Sequence, residues 1–326
     1  MAEAPSPLRA KIEALPLAIH WLTVCIRTVP MPSYPGGERP SATIIVGGDG
    51  ERGLGEHVGW SDADHSRFAE AVQKLPIRPE TTVGQWSGLA GDLPAYDRAA
   101  IEAAAIDLAL RQQHTNLFRL TAVDPRPVRY VLSFARMQDP VREITEGFAG
   151  PLEVKIDLDP AWPDSVLKDL AALGRVAVLD CKDAGSVEDA ERACALVPGC
   201  RIEDPPLPRE RWSASLRARF AADSPVISAE ALEHLVPRPL AVNIKAPRLG
   251  GVLEAIDCIA RARTLGIEPY IGGMFEAGVG RSQALVLAAL ACPEGTNDVA
   301  PLVGSAGRPL RLDVDARAPG FGEHAR

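Results

Sequence analysis

The sequence predicts an α/β protein: a barrel of parallel strands, preceded by a smaller α+β module. Three observations predict it. From about residue 127, short apolar runs alternate with helical stretches, and eight such runs follow one another. Residues 20–60 instead hold three β-like runs with no helix between them, and residues 61–120 then turn helical. The chain of 326 residues has room for a large barrel plus an extra module. Alternation alone describes an open doubly wound sheet equally well, and that is the runner-up fold.

In the first module the strands are "HWLTVCIRTV", "SATIIVGG" and "GLGEHVGW", and the Pro/Gly-rich "PMPSYPGGERP" between the first two is long enough for a flap. "GDGERG" at 48–53 matches the G-x-G-x-x-G of dinucleotide sites and follows a strand. The segment after it alternates and stays glycine-rich where that motif needs a helix, so it reads as a hairpin turn. "DADHSRFAEAVQKL" opens on a capping-type Asp, and "AYDRAAIEAAAIDLALRQQ" sets Ile101, Ala104, Ala105 and Leu108 at helical spacing.

In the second module "VRYVLSF", "LEVKI", "VAVLD", "CRIED", "PVISAE", "LAVNIK", "IEPYIGG" and "TNDVAP" are the successive strands. Helices fill the gaps. One of them, "GVLEAIDCIARARTLG", has Val252, Ile256 and Ile259 on one face and Gly266 at its C-terminal end.

Composition narrows the function classes. A net charge of −8 and the lack of any basic run exclude a nucleic-acid surface. Six cysteines without a C-x-x-C pair fit a reduced, cytoplasmic chain better than a disulfide scaffold. The N-terminal segment lacks the apolar core of a signal peptide, and no stretch reaches the roughly 18 apolar residues of a membrane span.

In a parallel barrel the C-terminal strand ends face the active site. Those ends carry Lys155, Asp180, Glu203, Glu230 and Lys245 on the second to sixth strands, with Glu276 just beyond the seventh. A lone charge at a strand end is ordinarily a solvated loop start. Five in consecutive order, two lysines flanking three carboxylates, form a pattern with chemical meaning. Oxygen donors suit a hard cation such as Mg²⁺, and three carboxylates without a counterion repel. A metal there can hold a substrate carboxylate and stabilise the enediolate left when the α-proton departs, while a lysine on either side takes or returns that proton.

These segments resemble the enolase superfamily, specifically its muconate-lactonizing branch. "VNIKAPRLGG" is similar to the sixth-strand segment, and "GGMFEAGVGR" to the seventh-strand segment of o-succinylbenzoate synthases and N-succinylamino-acid racemases. "RIEDPPLP", "VAVLD" and "LEVKI" resemble the fourth, third and second strands, while "GLGEHVG" and "AAIEAAAIDLAL" resemble the capping domain. The resemblance implies a modified (β/α)₇β TIM barrel over residues 127–303, an α+β capping domain over 1–126 with a flap at 30–40, and a C-terminal segment 304–326 returning to the cap. It implies Lys155 and Lys245 as acid/base lysines and Asp180 and Glu203 as Mg²⁺ ligands. Ala229 stands where the third-ligand Asp is expected, with Glu230 following as the candidate ligand. The first lysine of the second-strand pair is Glu153, and the third strand reads Asp180-Cys181-Lys182 in place of Asp-x-Asn. Lys182 then either lies on a surface loop or swings into the carboxylates in place of a metal.

The implied activity is α-proton abstraction from a small-molecule carboxylate, as racemisation of an N-succinylamino acid (isomerase) or as o-succinylbenzoate synthase-like dehydration (lyase). Association into homo-oligomers is a further expectation. The competing expectation is a non-catalytic or metal-independent protein on the same barrel.

Overall fold

Seven of the eight predicted runs of the second module, with Phe220–Ala222 in place of the fifth, close into one barrel. The computed structural model describes residues 6–31, 34, 36–147, 150–300, 311–314 and 320–322.

The first module opens with helix α1 (Pro7–Glu13) and strands β1 (Pro16–Ile19), β2 (Trp21–Pro30), β3 (Glu38–Gly48) and β4 (Glu51–His57). β2, β3 and β4 form an antiparallel sheet. The β3–β4 turn is Asp49-Gly50, with φ of 52° and 81°. Two consecutive left-handed residues make the tight hairpin that "GDGERG" predicts. Helix α2 (Asp62–Gln73) is capped not by its first Asp but by Ser61, in a reciprocal capping box with Asp64. After β5 (Arg78–Thr82), which pairs with β1, come α3 (Val83–Ser87), α4 (Ala95–Gln112) and α5 (Leu117–Thr121). α4 is alanine-rich because it presses onto β4. A Cβ on Gly53 would lie 2.2 Å from the Ala104 carbonyl oxygen, and one on Gly55 1.9 Å from that of Ala100.

The second module begins with β6 (Val128–Arg129), and its parallel strands are β7 (Leu132–Phe134), β8 (Val154–Asp157), β9 (Val176–Asp180), β10 (Arg201–Glu203), β11 (Phe220–Ala222), β12 (Ala241–Ile244) and β13 (Glu268–Ile271). Between them lie α6 (Pro140–Gly147), α7 (Asp164–Leu173), α8 (Val187–Leu196), α9 (Ala214–Arg219), α10 (Ala246–Leu249) and α11 (Val252–Thr264); α12 (Val279–Ala291) follows the last. Spatial order equals chain order from β7 to β13. A doubly wound sheet reverses direction midway, so the runner-up fold is excluded.

The eighth run closes the ring. The Val131 amide donates to the Asn297 carbonyl at 2.9 Å, and the Asp298 amide donates to the Ile271 carbonyl at 2.8 Å. The fully buried Asn297 side chain accepts from the Ile271 amide at 2.8 Å and donates to the carbonyls of Arg129 and Cys292 at 3.0 and 2.8 Å. One amide thus ties the last strand to the first.

One strand differs from the sequence reading. The fifth is Phe220–Ala222, and Glu230 instead begins a short 3₁₀ turn, Glu230–His234. "PVISAE" has the β-branched residues, while "RFAA" reads as the end of a helix. Tertiary fit decides: Ala221 and Ala241 leave room inside the barrel for the buried ring of Tyr270, with which they form a small cluster of their own.

Two carboxylates dock the first module onto the second. Glu56 accepts from the amides of Ala277, Gly278 and Gly280 at 2.6, 2.9 and 2.9 Å, at the N-terminus of α12. Glu102 on α4 accepts from the Leu253 amide at 2.9 Å, at the N-terminus of α11. Neither helix has a side-chain cap of its own, so negative charge from the neighbouring module meets their positive ends. At the C-terminal end, β14 (Arg311–Leu312) pairs with β6, and the Gly322 amide donates to Asp107 on α4 at 2.9 Å. The rest of the expected returning segment lies outside the described residues, as do positions 32, 33 and 35 of the flap.

Asn297→Ala removes four hydrogen bonds to backbone groups, from the Ile271 amide and to the carbonyls of Arg129, Cys292 and Gly295, each contributing about 0.5–1.5 kcal/mol. It is expected to lower unfolding free energy in urea by about 3 kcal/mol or more; a change below about 0.5 kcal/mol, typical of an ordinary surface site, would refute its closing role.

Candidate active site

The mouth of the barrel gathers charge from five consecutive strands. Register sets the heights. Asp180 pairs with Glu203 across β9 and β10, while Lys155 pairs with Val178, two residues deeper. Its long side chain climbs about two strand residues, roughly 6.6 Å, to reach the carboxylates. There the ammonium lies 2.9 Å from Asp180 Oδ2 and also bonds Glu203 Oε1. The other Glu203 oxygen accepts from the Tyr270 hydroxyl.

The third carboxylate is Asp223. It stands one residue past β11, and its ligand atoms, with those of Asp180 and Glu203, lie within 4.8 Å of one another, all three residues buried. Lys245, one residue past β12, donates to Asp223 Oδ2 at 2.7 Å, and Arg248 on α10 donates to Oδ1 at 2.7 Å. The Asp223 turn is held from the fourth strand: Asp204 accepts from the amides of Asp223 and Ser224 at 2.9 and 2.7 Å.

Four of the five sequence-predicted residues therefore meet. Glu230 does not. It is exposed on its 3₁₀ turn, and Asp223 takes the place assigned to it. Ala229 is not a departure at the fifth strand, because the strand ends before it. Spacing carried the missing signal. Successive charged strand ends at 155, 180, 203, 223 and 245 differ by 25, 23, 20 and 22 residues, one strand-helix unit each. With Glu230 the last two gaps become 27 and 15, and the second is short for a crossover. Tyr270 and Arg248 gave no such signal. Glu276 binds the Met274 amide instead of joining the group, and Glu153 pairs with Arg129.

The group's electrostatics follow from burial and neighbours. Burial alone would raise the Asp180 and Asp223 carboxyls. Lys155 and Lys182 overcome it at Asp180, holding that carboxyl below the usual range, and Lys245, Lys155 and Arg248 hold Asp223 at about 2. Burial would also strip Lys155 of its proton, but the Glu203 and Asp180 charges outweigh it and hold the ammonium well above its ordinary value. Glu203 is pushed up by burial and by the neighbouring Asp180 and Asp223 charges, against the pull of Lys155.

Three carboxylates with no nitrogen or sulfur donor among them form an oxygen-only set, the chemistry a hard divalent cation requires. The residues present fit Mg²⁺.

Barrel and cap together have the fold of solved members of the enolase superfamily, and charged strand ends gather at its mouth. The chain belongs to the family whose models are described as "Domain of unknown function (DUF8230) C-terminal domain", matching residues 124–304, and "Domain of unknown function (DUF8230) N-terminal domain", matching residues 10–120. The chain is 25% identical over 209 residues to an N-succinylamino acid racemase of Amycolatopsis sp, a match covering 59% of this chain and 57% of that protein. It is 24% identical over 208 residues to the o-succinylbenzoate synthase of Geobacillus kaustophilus, covering 59% and 56%. The chain therefore spans somewhat over half the length of the curated relatives it matches. Its fold is that of a dipeptide epimerase from Methylococcus capsulatus complexed with Mg ion, with TM-score 0.72 and 22% identity over 85% of this chain and 88% of that one.

Lys245 reaches the site only because residue 272 lacks a side chain. A Cβ on Gly272 would lie 2.9 Å from Lys245 Cε and 2.1 Å from Asn243 Oδ1. Gly272→Ala is expected to destabilise the protein by about 1–3 kcal/mol in urea unfolding and to displace Lys245. An unchanged midpoint would show that the packing there is looser than described.

Proposed function

We propose that this chain removes the proton α to the carboxylate of a small organic acid, with Lys155 and Lys245 as the acid/base pair. One observation carries the reading: the two ammonium groups stand on the second and sixth strands, on either side of the three carboxylates of the strands between them. Asp180, Glu203 and Asp223 would hold Mg²⁺. When bound, it would stabilise negative charge on the substrate's carboxylate oxygens and draw the carboxylates' charge away from the lysines.

The lysines' work follows from their placement. Lys155 and Lys245 stand on either side of the carboxylate group, which supports one accepting the α-proton and the other returning a proton to the opposite face. Racemisation needs both in that role. In a dehydration, Lys155 serves as base and then as general acid, while the charge of Lys245 steadies the developing anion. The names of the similar proteins support N-succinylamino acids and o-succinylbenzoate precursors as the first substrates to try. The reducing cytoplasm is the proposed compartment, in keeping with six unpaired cysteines. Among the described residues, no helix is long and apolar enough to cross a membrane. A carboxylate one residue past the fifth strand, Asp223, supports the enzymatic reading over a non-catalytic one.

The test is exchange of the α-proton in D₂O, followed by proton NMR on N-succinylamino acids of both hands. Lys155→Ala and Lys245→Ala are each expected to lose about 10²-fold or more in exchange of the hand they serve. Exchange at the wild-type rate in both variants would remove the lysines from the chemistry.

A further inference from the structure

Lys182 engages a carboxylate that a metal ion would need. It follows Asp180 by two residues, and its backbone amide donates to Asp180 Oδ1 at 3.0 Å while its ammonium bonds Asp180 Oδ2. One residue thus engages both oxygens of the first proposed ligand. The ammonium also lies 3.4 Å from Asp157 Oδ1.

The loop that places it there is firmly held. Lys182 and Asp183 both adopt left-handed backbone, with φ of 53° and 54°, and the turn ends on Gly185 with φ of 80°. Left-handed non-glycine residues carry a conformational cost and persist where their surroundings fix them. The surroundings here are the fourth strand and the Asp223 turn. The Asp183 amide donates to the Asp204 carbonyl at 3.1 Å, and Ser224 Oγ donates to Asp183 Oδ2 at 3.1 Å. By contrast, the Lys182 side chain is 47% exposed and reaches Asp180 from the solvent side. It is a hydrated, flexible cation whose departure disturbs no packed core.

We propose that Lys182 is a tethered counter-cation that competes with a divalent metal for Asp180, so that metal binding proceeds by displacing its ammonium. This rests on the reading of Asp180, Glu203 and Asp223 as a metal centre. Lys155 also sits on Asp180 Oδ2, at 2.9 Å, but from within the barrel. Lys182 is the occupant on the open side. Its consequence is a centre of lower metal affinity than the carboxylates alone would give, tunable by one side chain outside the acid/base pair.

The experiment is titration with Mn²⁺, read by electron paramagnetic resonance of the free ion at fixed ionic strength, with thermal unfolding recorded to check folding. Lys182→Met keeps the stem and removes the charge; Lys182→Arg keeps the charge. Lys182→Met is expected to bind Mn²⁺ about tenfold more tightly or better, the scale of removing one competing ion pair at a buried carboxylate, and Lys182→Arg to stay near wild type. Adding Asp180→Asn to Lys182→Met should erase the gain. Wild type and Lys182→Met binding equally would overturn the competition and leave the metal centre standing. No binding in either would overturn the centre and the competition together, and a gain surviving Asp180→Asn would place the ion elsewhere and overturn the competition.

Discussion

Three carboxylates buried at one end of a barrel are the constraint on which the rest depends. Alone they repel, and each loses several kcal/mol of solvation that only an opposite charge restores. The chain answers with four cationic groups in direct contact: Lys155, Lys182, Lys245 and Arg248. Three of the four come from residues bracketing the acids along the chain, and the barrel's order places them around the rim. Most members have more than one opposite charge: Lys155 contacts both Asp180 and Glu203, Asp180 also contacts Lys182, and Asp223 contacts both Lys245 and Arg248. The site is therefore one electrostatic unit, and its proton affinities belong to the group.

Around this unit the fold is a device for holding strand ends level. Asn297 closes the ring, Gly272 makes room for Lys245, and Tyr270 rises through the interior to the free oxygen of Glu203. The first module is fixed to the same end by Glu56 and Glu102 at two helix N-termini. That docking also brings Tyr34, between β2 and β3, against Phe275 past the seventh strand, with ring centroids 5.5 Å apart, while Arg39 bonds Tyr34 and the Val58 carbonyl at 2.9 Å each.

Much of this was legible in the sequence. Period and alternation carry the barrel, because a parallel strand buried on both faces reads as an apolar run and its helix as a stripe. The strand-end charges Lys155, Asp180, Glu203 and Lys245 were legible for the same reason. The fifth strand was not. Of its three residues, Ala221 leaves room beside Tyr270 while Phe220 and Ala222 pack into the main core, and local propensity points to the β-branched Val226 and Ile227 instead. Even spacing of the charges would have found Asp223. Nothing in the sequence could show that Asn297 ties two strands together. Nor could it show that Lys182 turns back on Asp180, which depends on two left-handed residues held by the neighbouring loop.

The measurement that bears most directly on the charge-balanced site is a crystal of the protein soaked in Mn²⁺ and mapped by anomalous scattering. One peak bonded by oxygens of Asp180, Glu203 and Asp223, with the Lys182 ammonium moved off Asp180, is the predicted result. An empty carboxylate group with Lys182 still in place at saturating Mn²⁺, or a peak held by Glu230, would contradict it.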